Sequence, residues 1–175
     1  IGGVESFLES LPCAVMADEI LTPGAGQTRA MFILSGNPVL TATNSARMEE
    51  AYKKLELLVS IELVRNETAN HAHYILPGTH FAERPDLPFM FSTFCGLMPK
   101  PWFQFSDALV PPPANARNEL WILVQLANAC NAPLYGSHIV QTLFNIGGWL
   151  KKLPWLGKKL PEAQVFLLDL VARAA

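Results

Sequence analysis

The sequence predicts an α/β fold: a three-layer, mostly parallel sheet with flanking helices, then a Pro-rich excursion and C-terminal helices. Three observations carry this expectation. "RAMFILS" (29–35) and "LLVSI" (57–61) are nearly continuous apolar runs of strand length, the pattern of strands buried on both faces of a parallel sheet. Between them lies a stretch with helical periodicity. Half of the 175 residues are hydrophobic and 16% are charged, enough to bury a core and too apolar for a disordered chain.

Taken in order, "AVMADEIL" (14–21) reads as a short helix, ended by Pro23-Gly24. The first strand follows at 29–35 and stops at Gly36-Asn37-Pro38, with Pro38 expected to hold the exit extended. A polar loop leads to Asn44 or Ser45, either of which can cap a helix. In that helix Met48, Ala51, Tyr52 and Leu55 share one stripe at i, i+3, i+4 and i+7. The second strand is 57–61 and a third, "YILP", is 74–77.

Strand, loop, helix and strand within about thirty residues make a βαβ unit. Ligands of such sheets bind beyond the carboxyl ends of the strands, which makes this a Rossmann-like, cofactor-binding arrangement. Those ends are Ser35 to Pro38 and Glu62 to Asn66.

Residues 83–115 are rich in Pro and aromatics and read as an ordered excursion over a surface. "ARNELWILVQLANAC" (116–130) reads as a helix with Leu120, Leu123, Val124 and Ala127 on one stripe. Further helices are expected at 137–150 and, opening on Pro161, at 161–174, with a turn-rich linker between. The division expected is an α/β domain over 1–135 and a helical extension over 136–175.

Composition excludes several classes. Net charge is −2 and the only basic blocks are Lys151-Lys152 and Lys158-Lys159, so no nucleic-acid partner is expected. Cys13, Cys95 and Cys130 are few, distant and without Cys-x-x-Cys spacing; they read as reduced, mostly buried thiols of a cytoplasmic protein. No apolar run reaches the roughly 18 residues of a membrane span. The nearest, 138–150, holds Gln141, Asn145 and a Gly pair, so no membrane partner is expected. No signal peptide is visible, and the chain begins with Ile, as a piece of a longer protein would.

Candidate chemistry gathers at the strand ends. Gly36 lets a ligand or another backbone approach, and Asn37 offers a donor and an acceptor. Glu62 follows a buried strand, where its two oxygens can accept the paired N–H groups of a guanine edge. Asn66 and Thr68 can add polar contacts or cap the "NETANHA" turn. Each has an ordinary alternative: a strand-ending turn for Ser35 to Pro38, an exposed strand-end charge for Glu62. His71, His73, His80 and Glu83 are all metal-ligand types, but their spacing matches no fixed geometry, so no metal site is expected. Gly-x-Ser-x-Gly, P-loop and Gly-x-Gly-x-x-Gly motifs are missing, and no catalytic residue is expected.

Three stretches read together carry a resemblance: "ADEILTPGAGQTRAMFILSGNPVLTATNS", "LLVSIELVRNETANHAHYILPGTHFAERPD" and "LWILVQLANAC". They resemble the molybdopterin oxidoreductases of the dimethyl sulfoxide reductase and formate dehydrogenase type. Matching positions are Gly36, Asn37 and Pro38; Glu62 for the family's Asp; Asn66-Glu67-Thr68-Ala69 for Thr-Glu-Thr-Ala; Ala72-His73 for Ala-Asp; Leu76-Pro77; and Glu83. The likeness covers roughly residues 11–130, and "FLLDLVARAA" is also similar to the family.

That resemblance implies an internal fragment of a catalytic subunit. Residues 1–135 would be part of a molybdopterin guanine dinucleotide-binding domain, with Ser35, Gly36, Asn37, Pro38, Glu62, Asn66 and Thr68 at the cofactor. In the family two pterin guanine dinucleotides hold molybdenum or tungsten. The metal ligands and any iron–sulfur cysteines belong to other parts of such a parent, as does its C-terminal barrel. The fragment alone is not expected to catalyse; the parent would carry out two-electron redox such as formate oxidation or oxo transfer. Implied partners are the parent's other domains and an electron-transfer subunit. Two other readings stand beside it: a non-catalytic α/β interaction module that has lost the cofactor, with segment 99–121 and the Trp149/Trp155 region as partner surfaces, and a small hydrolase using the histidines.

Overall fold

The computed structural model describes residues 12–86, 105–133, 136–157, 159–160 and 165. The chain divides into two compact units, Ile1–Gly78 and Thr79–Ala175. Among the described residues of the first unit, a three-stranded parallel sheet runs in the order β1 (Ala30–Leu34), β2 (Leu57–Glu62), β3 (Tyr74–Pro77). Register pairs Ile33 with Ser60 and Ser60 with Ile75.

Helices α1 (Met16–Leu21), α2 (Pro38–Thr41) and α3 (Ser45–Tyr52) accompany the sheet. Asn44, at φ 60°, caps α3 by accepting the Arg47 N–H at 3.2 Å. Met48, Ala51 and Tyr52 are buried together with Ile20, Ile33, Leu55 and Leu58, so the stripe read from the spacing is part of the core, although Leu55, expected in the helix, lies past its end at Tyr52. Behind α1, Tyr52 sends its hydroxyl to the Met16 sulfur at 3.6 Å.

Two expectations about this unit are corrected. Strand β1 is not buried on both faces: Ile33 faces the helical core and is buried, but Phe32 and Leu34, on the opposite face with Tyr74, are each 45% exposed, because that face of β1 is left uncovered among the described residues. β2, in the middle, is the strand buried on both faces. Pro38 does not hold an extended exit either. It opens α2, a position where its fixed φ and missing N–H suit a helix start.

In the second unit, α4 (Glu119–Cys130) starts three residues later than the composition indicated, at the cap where Asn118 accepts the Leu120 N–H at 2.9 Å. Its buried residues are Ile122, Val124 and Ala127, so Leu120 and Leu123 of the expected stripe are only partly covered. Helix α5 is His138–Leu150, with Ser137 accepting the Val140 N–H. Of the Pro-rich excursion, Asp86 and Ser106 form an antiparallel bridge, and residues 87–104 lie outside the described residues. So do Cys95 and nearly all of the helix expected at 161–174. Cys13 and Cys130 are free and exposed, not buried. Each sits at a helix edge, one in the turn before α1 and one at the last position of α4.

Candidate functional site

The carboxyl ends of β1 and β2 are adjacent, and the loops leaving them are laced together. Ser35 continues the β1 ladder by donating its N–H to Ile61 O at 3.0 Å. It sits at φ 50°, so the left-handed turn falls on Ser35 and not on Gly36. A Cβ on Gly36 would meet Ile33 Cγ2 at 3.5 Å and nothing nearer, an ordinary contact. Among the described residues nothing requires glycine there.

Asn37 and Thr68 form the centre of the lacing. Asn37 Oδ1 accepts the Thr68 hydroxyl at 2.7 Å and the Thr68 backbone N–H at 3.2 Å. The Thr68 hydroxyl oxygen in turn accepts the Val39 N–H at 3.0 Å, one of the N–H groups that the first turn of α2 cannot satisfy itself. Thr68 is fully buried. Asn37 Nδ2 donates to Glu67 at 2.6 Å, and this bond holds the Glu67 carboxyl below its ordinary value. Asn66 donates to Gly36 O at 3.4 Å and accepts the Ala69 N–H at 2.8 Å.

These bonds sort the sequence-predicted residues. Ser35, Gly36, Asn37, Pro38, Glu62, Asn66 and Thr68 do come together at one edge of the sheet. Asn37 and Thr68, however, spend their side-chain groups on each other, on Glu67 and on backbone, and Asn66 spends its own on the backbone of Gly36 and Ala69. Glu62 is different. It is the last residue of β2, half-buried, and its carboxylate makes no hydrogen bond or ion pair among the described residues, while its carbonyl accepts the Gly78 N–H at 3.2 Å.

Glu67 was missed as a member of this cluster. Its bond to Asn37 spans thirty residues of chain, and no local spacing reveals it. Role was also missed for His73: its Nδ1 accepts the Leu58 N–H at 2.9 Å while its backbone N–H donates to Leu58 O at 2.8 Å. An Asp at this position would supply the same acceptor. The remaining histidines go separate ways. His71 lies 3.9 Å from the Glu49 carboxylate, and His80 caps a turn with Glu83. No group of three or more His, Cys, Asp or Glu among the described residues is placed to hold a metal ion.

The second unit holds a cavity of about 800 Å³, bordered by Arg84, Asp107, Leu109, Arg117 and Trp121. Arg84 is tied to Glu119 at 2.7 Å. None of the strand-end residues borders this cavity.

A family model described as molybdopterin oxidoreductase matches residues 12–129, about two thirds of the chain, and spans every strand-end residue above. The chain belongs to the molybdopterin oxidoreductase family. It is 25% identical over 118 residues to the probable oxidoreductase YyaE of Bacillus subtilis, covering 67% of this chain and 17% of that protein. To the dimethyl sulfoxide/trimethylamine N-oxide reductase of Cereibacter sphaeroides it is 33% identical over 94 residues, covering 47% of this chain and 11% of that protein. Among solved structures, the acetylene hydratase from Pelobacter acetylenicus superposes with a TM-score of 0.57 at 22% identity, over 69% of this chain and 16% of that one. This last likeness establishes the α/β fold. The chain thus spans a minor part of the length of these relatives.

Proposed function

We propose that this chain is part of a molybdopterin-dependent oxidoreductase and binds the guanine dinucleotide end of the cofactor at the carboxyl ends of β1 and β2. The observation that carries the reading is the half-buried carboxylate of Glu62, which has no hydrogen-bond or ion-pair partner among the described residues. A half-buried charge without a partner is unfavourable, and a strand end beside a pinned turn is where such a sheet takes a ligand. A guanine supplies the missing partners, since its N1–H and N2 amine donate in parallel to two carboxylate oxygens. The residues present therefore fit a guanine nucleotide. Ser35 and Gly36 offer backbone open to close approach, and Asn37, Asn66 and Thr68 act as positioning residues.

When bound, the cofactor supplies the two-electron chemistry. This chain's contribution is to grip the nucleotide and fix the turn against which it lies. In this reading residues 1–135 form part of the nucleotide-binding domain and 136–175 a helical extension. The protein that carries them oxidises formate or transfers oxo groups, with its own further domains and an electron-transfer subunit as partners, in the cytoplasm. Likeness to a dimethyl sulfoxide/trimethylamine N-oxide reductase supports the oxo-transfer option.

The test uses the whole protein with Glu62→Ala and Glu62→Asp. Molybdenum and tungsten are measured by mass spectrometry and GMP after acid hydrolysis. Metal and GMP should fall together in Glu62→Ala and largely survive in Glu62→Asp. Normal loading of Glu62→Ala would sink the assignment. Neither metal nor GMP in the unaltered protein, from a host that makes the cofactor, would favour the cofactor-free interaction module.

A further inference from the structure

The segments that follow β1 and β2, residues 35–44 and 63–73, contain a single Lys or Arg, which is Arg65. It stands between two acids, Glu62 three residues before it and Glu67 two residues after it, and it pairs with neither. Its Nε donates instead to Asn70 Oδ1 at 2.7 Å, and it makes no other hydrogen bond or ion pair among the described residues. Glu67 gives its carboxylate to Asn37 Nδ2 at 2.6 Å. Glu62 gives its own to nothing among the described residues.

Asn70 is a firm anchor for the guanidinium. It lies in the short turn Ala69–His71, where its N–H is shared between Asn66 O at 3.1 Å and Glu67 O at 3.2 Å. The same turn follows directly on Thr68, which Asn37 holds. The Nε bond therefore ties the guanidinium to the turn that sets the edge of the site. A guanidinium carries five N–H groups, and this bond uses one of them. The two terminal nitrogens have no partner among the described residues, and Arg65 is exposed. An arginine beside two carboxylates ordinarily pairs with one or stays in water. Here it is oriented by a neutral amide, with its charge left over.

We propose that Arg65 holds the diphosphate of the guanine dinucleotide. The contact rests on the reading that Glu62 takes the guanine, and it adds the other end of the nucleotide. A nucleotide presents neutral N–H donors at its base edge and anionic oxygens at its phosphates. Glu62 is an acceptor for the first and Arg65 a donor for the second. Three residues of chain span at most about 10 Å, of the order of the gap that a ribose leaves between base edge and phosphate. A planar guanidinium gives a phosphate two parallel N–H bonds. The reverse orientation is disfavoured, because phosphates beside Glu62 and away from Arg65 would meet only like charge. The unpaired acid and the pinned base thus fix which way the nucleotide lies as well as where.

The experiment uses the whole protein with its cofactor and the variants Arg65→Gln, Arg65→Lys and Glu62→Ala. GMP after acid hydrolysis is measured before and during dialysis, at low and at raised salt. Arg65→Gln should lose its dinucleotide at least about tenfold faster than the unaltered protein at low salt, the loss of one charge-assisted contact. Raised salt should narrow the gap, and Arg65→Lys, which keeps the charge, should restore most of the retention. Arg65 is exposed, so both variants should fold as the unaltered protein does, which circular dichroism checks. Equal retention by Arg65→Gln overturns the proposal. A faster loss that ignores salt and is not rescued by Arg65→Lys also overturns it, and assigns Arg65 to the Asn70 turn alone. The two readings fail separately. Normal loading of Glu62→Ala removes the base contact and this proposal with it. Low loading of Glu62→Ala beside unchanged retention in Arg65→Gln removes the phosphate contact only.

Discussion

Asn37 holds Thr68 by two hydrogen bonds to one oxygen, the hydroxyl at 2.7 Å and the backbone N–H at 3.2 Å. This pairing joins the turn after β1 to the turn after β2 and passes on, through the Thr68 oxygen, to the first turn of α2. The strand-end edge is thereby set before any ligand arrives. Pre-ordering of this kind lowers what binding must spend on fixing loops.

Thr68→Val keeps the shape of the side chain and removes both hydroxyl bonds. It leaves the Val39 N–H without its acceptor in a buried place. We expect a loss of about 2 kcal/mol in denaturant unfolding, with most of it restored in Thr68→Ser. An unchanged stability in Thr68→Val would show that the lacing is incidental.

His73→Leu should loosen the start of β3. The imidazole Nδ1 is the acceptor for the Leu58 N–H, and leucine has none. We expect about 1 kcal/mol of destabilisation and faster hydrogen exchange at Leu58. His73→Asp, which retains an acceptor, should keep Leu58 protected. Equal exchange in both variants would remove this role from His73.

How much of this could be read from the chain depended on locality. The helical stripe from Met48 to Tyr52 and the cap at Asn44 are patterns within one turn or two, and the structure reproduces both, with Leu55 buried just past the helix end. β1 was harder. Its run of apolar residues is the same whether one face or both are covered, and Phe32 and Leu34 lie on the face that the core helices do not cover. Pro38 illustrates a local signal with two meanings, since Pro suits an extended exit and also the first position of a helix. At the site, residue types were legible but not their duties. Asn37, Asn66 and Thr68 looked like ligand contacts because nothing in the order of residues shows that Asn37 meets Thr68, and Asn66 the Gly36 carbonyl, across about thirty positions.

Alkaline stability should report on Tyr52. Burial pushes its hydroxyl from 10.0 up to about 12, with the electrostatic effect of the nearby Cys13 adding to it. The folded state holds this proton more tightly than the unfolded chain does. The contribution is therefore complete below pH 10 and is lost as pH rises to about 12. We expect about 2 to 3 kcal/mol of alkaline destabilisation from this group, absent in Tyr52→Phe. Parallel stability curves for the two proteins across that range would refute it.

Acid acts on the site itself. Glu67 is held below its ordinary value of 4.5, first by the Asn37 amide. A lowered carboxyl contributes stability above its unfolded value and loses it as pH falls through the folded one. Acidification below 4.5 should thus weaken the bond that orients the Asn37 amide, and the Asn37 side-chain resonances should shift with that titration. Glu67→Gln should abolish the shift. The residue is fully exposed, so the effect on global stability should be small.

Gly36→Ala separates folding from cofactor binding at the turn. Gly36 has no left-handed backbone angle, and an added methyl makes only ordinary contacts, with Ile33 Cγ2 at 3.5 Å and with Leu34 O and Pro38 Cδ at 3.8 Å. Folding should therefore be unaffected, or improved by up to about 1 kcal/mol through the stiffer unfolded chain. If the nucleotide lies against this backbone, the same methyl stands where the ligand approaches, and metal and GMP content should fall while the melting temperature does not. The two readouts together are what decides. Lower content with lower stability would mean that the turn had been disturbed, and normal content with normal stability would place the cofactor elsewhere on the sheet edge, leaving Glu62 to be tested alone.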